Sequence, residues 1–215
     1  MQRRGEGQVG ARETGPAADH QAVANRRGRP INDRKLLNIM TRNAQSLNYK
    51  LNELKLLINE RKPDIVSITE SWGNDDISDG IFALQGYTMY RDDKKSGIGG
   101  GTLLYVNNKI EQRICKAFDA LAFESSTWCW IVIKRGKKNL IGSIYRSTSS
   151  SGQNDDLLKQ VIRKADEIAK GNRLLILGDF NLPNINWTND DLQPNCRAVE
   201  SDLFDIFTDS FWQRT

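Results

Sequence analysis

Between residues 84 and 146 the chain runs through short apolar segments separated by turn residues, with no helical periodicity. Tyr87–Tyr90, Gly101–Val106, Trp128–Lys134 and Asn139–Tyr145 each have the length and composition of a strand, and each leads directly to the next. A regular strand–helix alternation of the Rossmann kind fits this stretch poorly. Helices flank it instead. Leu36–Met40 reads as a first strand, and Leu47, Leu51, Leu54 and Leu57/Ile58 recur at helical spacing, predicting an amphipathic helix over 47–60 that Pro63 ends. Ile65–Thr69 reads as a short buried strand. Downstream, Asn154 and Asp155 can cap a second helix with Leu158, Val161, Ile162, Ala165 and Ile168 on its inner face. Arg173–Leu177 reads as another strand and Glu200–Phe211 as a last helix. Two flanking helical regions and several direct strand connections predict a mixed α/β fold.

Residues 1–34 lack apolar periodicity and are expected to form a disordered basic tail, with one folded domain over 35–215. The net charge is concentrated there: residues 1–35 hold eight Lys/Arg against four Asp/Glu, while the rest holds 23 of each. Net charge therefore gives no argument that the folded part binds nucleic acid. Within the tail, Arg26-Arg27-Gly28-Arg29-Pro30 resembles an AT-hook, although short basic runs are common in solvated tails. The longest apolar runs, Leu174–Leu177 and Trp128–Ile133, are far shorter than a membrane helix of roughly 20 residues, so no membrane role is expected. No secretory signal follows Met1, and Glu6 and Glu13 argue against a mitochondrial presequence. Cys115, Cys129 and Cys196 are odd in number and lack C-x-x-C spacing, which favours a reducing, intracellular setting without a disulfide framework or zinc site.

Polar residues cluster where the predicted strands end. Asn43 follows the first, Glu70 the second, Tyr145 and Arg146 close the strand from Asn139, and Asp179 and Asn181 follow Leu174–Leu177. Strand ends meeting on one rim are a common place for active sites in α/β folds. A lone carboxylate such as Glu70 suits Mg²⁺, which takes one or two carboxylates and keeps its waters. An aspartate across a phosphate can orient or deprotonate water, while Tyr145 and Arg146 can stabilise developing negative charge. Taken singly, each is more often a cap or loop residue. Gly97–Gly101 lacks the following Gly-Lys-Ser/Thr of a phosphate loop and precedes a strand, which predicts a hairpin near the rim. Trp128 and Trp130 share one strand face and read as packing residues; Trp187, in a loop, reads as a contact for DNA.

The combination of Asn43, Thr69-Glu70-Ser71-Trp72 and Gly178-Asp179-Phe180-Asn181 resembles the endonuclease/exonuclease/phosphatase superfamily, which includes apurinic endonucleases, pancreatic-type DNases, inositol phosphatases and sphingomyelinases. Asn43-Ala44-Gln45-Ser46-Leu47, Gly99-Gly100-Gly101-Thr102, Tyr145-Arg146 and Gly178-Asp179-Phe180-Asn181-Leu182-Pro183 are most similar to the endonucleases of non-LTR retrotransposons, from about Leu36 onward. The resemblance implies a four-layer α/β/β/α sandwich with two central mixed sheets, incomplete at the C-terminus. It implies Mg²⁺-dependent nicking of DNA, with Mn²⁺ as a substitute, a 3′-hydroxyl that primes reverse transcription, a reverse transcriptase domain in the full element and work in the nucleus. By motif, Glu70 is the metal ligand, Asn43 assists at the metal side, Tyr145 contacts the scissile phosphate, Asp179 positions or activates water and Asn181 binds phosphate; Arg146 and Trp187 are expected to meet the substrate.

Two departures stand beside this. The branch often carries Tyr-Arg-Pro-Pro, where this chain has Tyr145-Arg146-Ser147-Thr148, so the loop is expected to be less rigid. The family's Ser-Asp-His motif has no match after Asn181, and the one histidine is His20. A chain truncated before that motif is expected to be nearly inactive. A catalytically dead nucleic-acid-binding remnant or gene-model fragment, and another phosphodiesterase of the superfamily such as a repair nuclease or phosphatase, remain as alternatives.

Overall fold

The computed structural model describes residues 36–94, 99–133, 136–189 and 191–209, all within the compact unit that Leu36 opens. The basic tail, with His20 and the Arg-Gly-Arg-Pro segment, lies outside the described residues, as does Phe211. Strand β1 (Ile39–Asn43) leads through helix α1 (Leu47–Arg61) to β2 (Ile65–Thr69), which pairs with it in parallel, Ile39 opposite Ile65 and Asn43 opposite Thr69. The first strand thus starts and ends three residues later than the apolar run that predicts it, sharing Ile39 and Met40 with it. The pairing with β2 fixes its bounds, and Leu36 is left 86% exposed. Helix α1 buries Leu47, Leu54 and Ile58 and ends at Lys62, whose left-handed backbone returns its N–H to the Ile58 carbonyl just before Pro63.

A single-turn helix α2 (Asp79–Phe82) precedes β3 (Tyr87–Asp92) and β4 (Thr102–Asn107), completing a mixed sheet in the order β1-β2-β4-β3. The second sheet runs β5-β6-β7-β8, from β5 (Glu111–Ile114), β6 (Ser126–Ile133), β7 (Lys137–Tyr145) and β8 (Arg173–Asp179). Helix α3 (Gly152–Ala169) makes the parallel crossover from β7 to β8. Its cap is Ser151, which accepts from the Asn154 N–H; Asn154 and Asp155, the expected caps, lie in the first turn. A small ladder of β9 (Ile185–Asn186) and β10 (Asp191–Leu192) leads to α4 (Ala198–Asp209).

Side-chain alternation sorts the core into three apolar layers. Val66, Ile68, Leu103 and Tyr105 face α1; Ile65, Leu104, Val106, Cys129, Ile131 and Ile141 lie between the sheets; and Trp128, Leu140 and Ile144 pack beneath α3 and α4. The result is the α/β/β/α order of layers. Trp128 is buried and stacks on Phe118 with ring centroids 4.2 Å apart.

The layer between the sheets changes character along its length. At one end it is wholly apolar. Two residues before the ends of β2 and β7 it becomes polar, with Ser67 and Ser143 hydroxyls 2.7 Å apart and Thr102 and Thr127 hydroxyls 2.6 Å apart. These buried hydroxyls satisfy each other across the sheets, and so set β2 over β7 with their C-terminal ends on the same rim.

Candidate active site

That rim gathers side chains far apart in sequence. Asn43 ends β1 beside β2, Glu70 follows β2, and Tyr145 and Asp179 are paired residues at the ends of β7 and β8. Two hydrogen bonds cross from sheet to sheet: Asn43 Nδ2 donates to Asp179 Oδ2 at 2.9 Å, and the Tyr145 hydroxyl donates to Glu70 Oε1 at 3.0 Å. The other oxygen of each carboxylate is held from its own turn. Trp72 Nε1 donates to Glu70 Oε2 at 3.0 Å, and the Asn181 backbone N–H donates to Asp179 Oδ1 at 3.2 Å. All four donors are neutral, so they orient both carboxylates without cancelling their charge.

The backbone is bent to make this arrangement. Among the described residues six non-glycines have left-handed φ, and five of them, Gln45, Ser46, Glu70, Trp72 and Asn181, flank the rim strands. Such conformations cost on the order of 1–3 kcal/mol each and gather at functional sites. Two glycines allow close approaches. A side chain on Gly178 (φ 140°) would meet the Ile144 carbonyl at 1.9 Å, and one on Gly101 (φ 82°) would meet Ser71 Oγ at 2.4 Å. Gly101 belongs to the glycine-rich segment expected at the rim; its carbonyl accepts from Ser71 N–H, and that of Gly100 accepts from Trp72 N–H.

Burial, and then the adjoining Glu70 carboxylate, push the Tyr145 phenol well above its ordinary pKa. It is a donor throughout the neutral range. Arg146 differs from its expected place against substrate. It is 1% exposed; Nε and Nη2 donate to the two oxygens of Asp155 at 2.7 and 3.1 Å, and Nη1 reaches the Asn181 carbonyl at 3.1 Å. Its own carbonyl accepts from Asn181 Nδ2 at 2.8 Å. The Asn181 side chain therefore braces the loop in this structure, with Arg146 clamping it from inside. The Ser147–Ser150 turn, which replaces the two prolines, is closed by the Ser150 N–H to the Ser147 carbonyl at 3.2 Å.

Asp179 stands between two depressions. One, of about 220 Å³, is lined by Arg42, Asn43 and Thr69. The other, of about 540 Å³, is lined by Asn181, Thr148, Pro183, Trp187 and Arg197. Trp187, 39% exposed, thus shares a cleft with Asp179 and Asn181. Trp72, Asp155 and Arg197 are absent from the sequence-based set. Only Trp72 had a sequence signal, its position two residues after Glu70.

The rim offers carboxylate and amide oxygens and no thiolate or imidazole, which suits a hard cation such as Mg²⁺ and not zinc. Among the described residues no group of three or more His, Cys, Asp or Glu converges, so a divalent ion held by one or two carboxylates here would keep much of its hydration. No described helix is long and apolar enough to cross a membrane.

Comparison with known proteins supplies the context. The sequence model described as "Endonuclease/Exonuclease/phosphatase family" matches residues 36–197. Among solved structures, the 3′ phosphatase NExo from Neisseria bound to product DNA hairpin is similar at a TM-score of 0.59 and 16% identity, over 81% of this chain and 71% of that one. The endonuclease domain of TRAS1, a telomere-specific non-LTR retrotransposon, is similar at 0.57 and 16%, over 81% and 72%. The AP endonuclease LMAP from Leishmania major is similar at 0.57 and 13%, over 81% and 66%. At these identities the likeness is one of fold. A comparison with curated protein sequences finds no match.

Proposed function

The chain belongs to the endonuclease/exonuclease/phosphatase family, and from that premise we propose that its rim binds a divalent cation and a DNA phosphodiester, as the nicking endonuclease of a retrotransposon-type protein. The observation that carries this reading is the pair of carboxylates held across the two sheets, Glu70 by Tyr145 and Asp179 by Asn43. Glu70 is the proposed ligand for Mg²⁺, or for Mn²⁺ in its place, with Asn43 assisting. When bound, the ion supplies positive charge against the phosphate oxygens.

The remaining roles fall to the chain's own groups. Asp179, with both oxygens fixed, points a carboxylate at the attacking water and takes its proton as the water oxygen bonds to phosphorus and the P–O3′ bond breaks, the departing 3′-oxygen taking a proton from solvent water. Tyr145, whose one hydroxyl proton goes to Glu70 in the free protein, turns it to a phosphate oxygen when substrate and cation occupy the rim. Asn181 offers its amide to the phosphate once released from the Arg146 carbonyl. Arg146, expected to touch substrate, acts instead through the loop that it clamps. Nicking chromosomal DNA to expose a priming 3′-hydroxyl would place the protein in the nucleus, beside a reverse transcriptase domain.

A competition assay tests the substrate class. The full chain in Mn²⁺ should bind a labelled intact DNA duplex, and unlabelled DNA should displace it where inositol phosphates do not. An abasic duplex should bind no better than an intact one. Displacement by inositol phosphate would favour a phosphatase, and a strong abasic preference a repair nuclease.

A further inference from the structure

We propose that Trp72 is a positioning residue for the cation: its indole N–H is the tether that keeps Glu70 aimed once substrate has drawn the Tyr145 hydroxyl away. This rests on the metal–phosphodiester reading of the rim. In the free protein each oxygen of Glu70 has one donor, the Tyr145 hydroxyl on Oε1 at 3.0 Å and Trp72 Nε1 on Oε2 at 3.0 Å. A carboxylate oxygen has two lone pairs, so both oxygens can still reach a cation. The Tyr145 hydroxyl has a single proton, and in the occupied rim that proton goes to phosphate. Trp72 is then the donor that stays. An indole N–H is donor-only and neutral, so it holds the ionised carboxylate without competing with the cation for its charge, as an ammonium in its place would.

The turn that carries Trp72 is framed from two sides. Glu70 and Trp72 both have left-handed backbones, φ 53° and 56°, which fold the chain back until the indole meets the carboxylate two residues before it. On one side the glycine-rich segment before β4 pins the turn, with the Ser71 N–H on the Gly101 carbonyl at 3.3 Å and the Trp72 N–H on the Gly100 carbonyl at 3.0 Å. Gly99 lies against the indole; a Cβ added there would stand 3.5 Å from Nε1. On the other side Gly73 leaves no room for a side chain beside the Asp93 carboxylate. Arg91 grips Asp93, Nη2 to Oδ2 at 2.6 Å, reaches the Asn74 carbonyl at 2.8 Å and lies 5.2 Å over the Phe82 ring. Ser71 is fully buried within this frame, while the indole stays 38% exposed. The frame and the bond to Glu70, and not a core, therefore hold the indole in place.

The test is a Mn²⁺ titration of the full chain by electron paramagnetic resonance, with and without a short DNA duplex. Trp72→Phe keeps a ring without the donor, and Trp72→Gln puts an amide N–H the same number of bonds from Cβ. Trp72→Phe should weaken Mn²⁺ binding about tenfold, more with DNA than without it, and Trp72→Gln should recover most of the loss. In a Glu70→Gln background the Trp72→Phe penalty should vanish, because the indole acts through that carboxylate. Binding by Trp72→Phe within about twofold of wild type, a penalty no larger with DNA, or full additivity with Glu70→Gln would overturn the proposal. Should Trp72→Phe fail to fold, the indole N–H resonances of isotope-labelled wild type decide. One of them should move on adding Mg²⁺ and stay still in Glu70→Gln; no such resonance would overturn the tether. Failure of the rim reading shows separately, as Mn²⁺ binding indifferent to Glu70→Gln; failure of the tether alone leaves that dependence intact.

Discussion

Arg146 shows how a residue type misleads when its partner is unseen. An arginine at a strand end beside a tyrosine invites a role against phosphate. Its actual partner, Asp155, lies nine residues on, inside the first turn of α3, and no spacing rule connects the two. Burial would raise the Asp155 pKa, but the Arg146 guanidinium and the Ser150 hydroxyl hold it below the usual carboxylate range. Asp155→Asn leaves a buried guanidinium unpaired and should cost about 3 kcal/mol or more in urea unfolding at neutral pH. A loss below about 1 kcal/mol would mean that water replaces the carboxylate. Glu200 gives a pH signature of its own. Burial opposes its ionised form, but Arg197, through side chain and N–H, and Asn184 lower its pKa to about 2. The folded value lies below the unfolded one of about 4.3, so this stabilisation is present at neutral pH. It is lost as pH falls from there toward 2. The difference in urea midpoint between wild type and Glu200→Gln should therefore be widest at neutral pH and close over that window; a gap constant down to pH 2 would refute the assignment.

At the scale of elements, the hydroxyl contacts between the sheets are as informative as the apolar core. Ser67→Ala or Ser143→Ala alone strands a buried hydroxyl and should cost roughly 1–3 kcal/mol, while the double variant should cost less than the two singles added. Simple additivity in urea unfolding would show that the two hydroxyls do not depend on each other. Strands such as Ile65–Thr69 were legible because both faces are buried and the run is unbroken. Strand β5 was not, since Glu-Gln-Arg-Ile is polar and pairs along one edge only. Strand β1 was placed too early because Leu36 and Leu37 attract attention, while the pairing starts only at Ile39 and continues past Met40 through the polar Thr41, Arg42 and Asn43. The rim residues could be picked out because they stand directly after apolar strands. Their cross-sheet hydrogen bonds could not, because they depend on how two sheets stack. Gly178 joins these levels: Gly178→Ala should push β8 from β7, displace Asp179 and lower stability, where a neutral result would contradict the close approach to Ile144.

For the whole molecule, charge and site are separated along the chain. Net positive charge lies in residues 1–35, and the remainder is balanced. Deleting residues 1–33, which removes six of the eight basic residues there and all four acidic ones, should therefore flatten the salt dependence of binding to bulk duplex DNA. An unchanged slope would assign that binding to a patch on the folded part. The reading proposed for the rim makes a different demand, for a hard cation held by an oriented carboxylate. The most direct test is a Mn²⁺ titration of the full 215-residue chain followed by electron paramagnetic resonance, with and without a short DNA duplex. Wild type should bind Mn²⁺ more tightly when DNA is present, and Glu70→Gln should weaken binding about tenfold or more while keeping its fold. Mn²⁺ binding equal in wild type and Glu70→Gln, or unaffected by DNA, would contradict a metal–phosphodiester site at this rim.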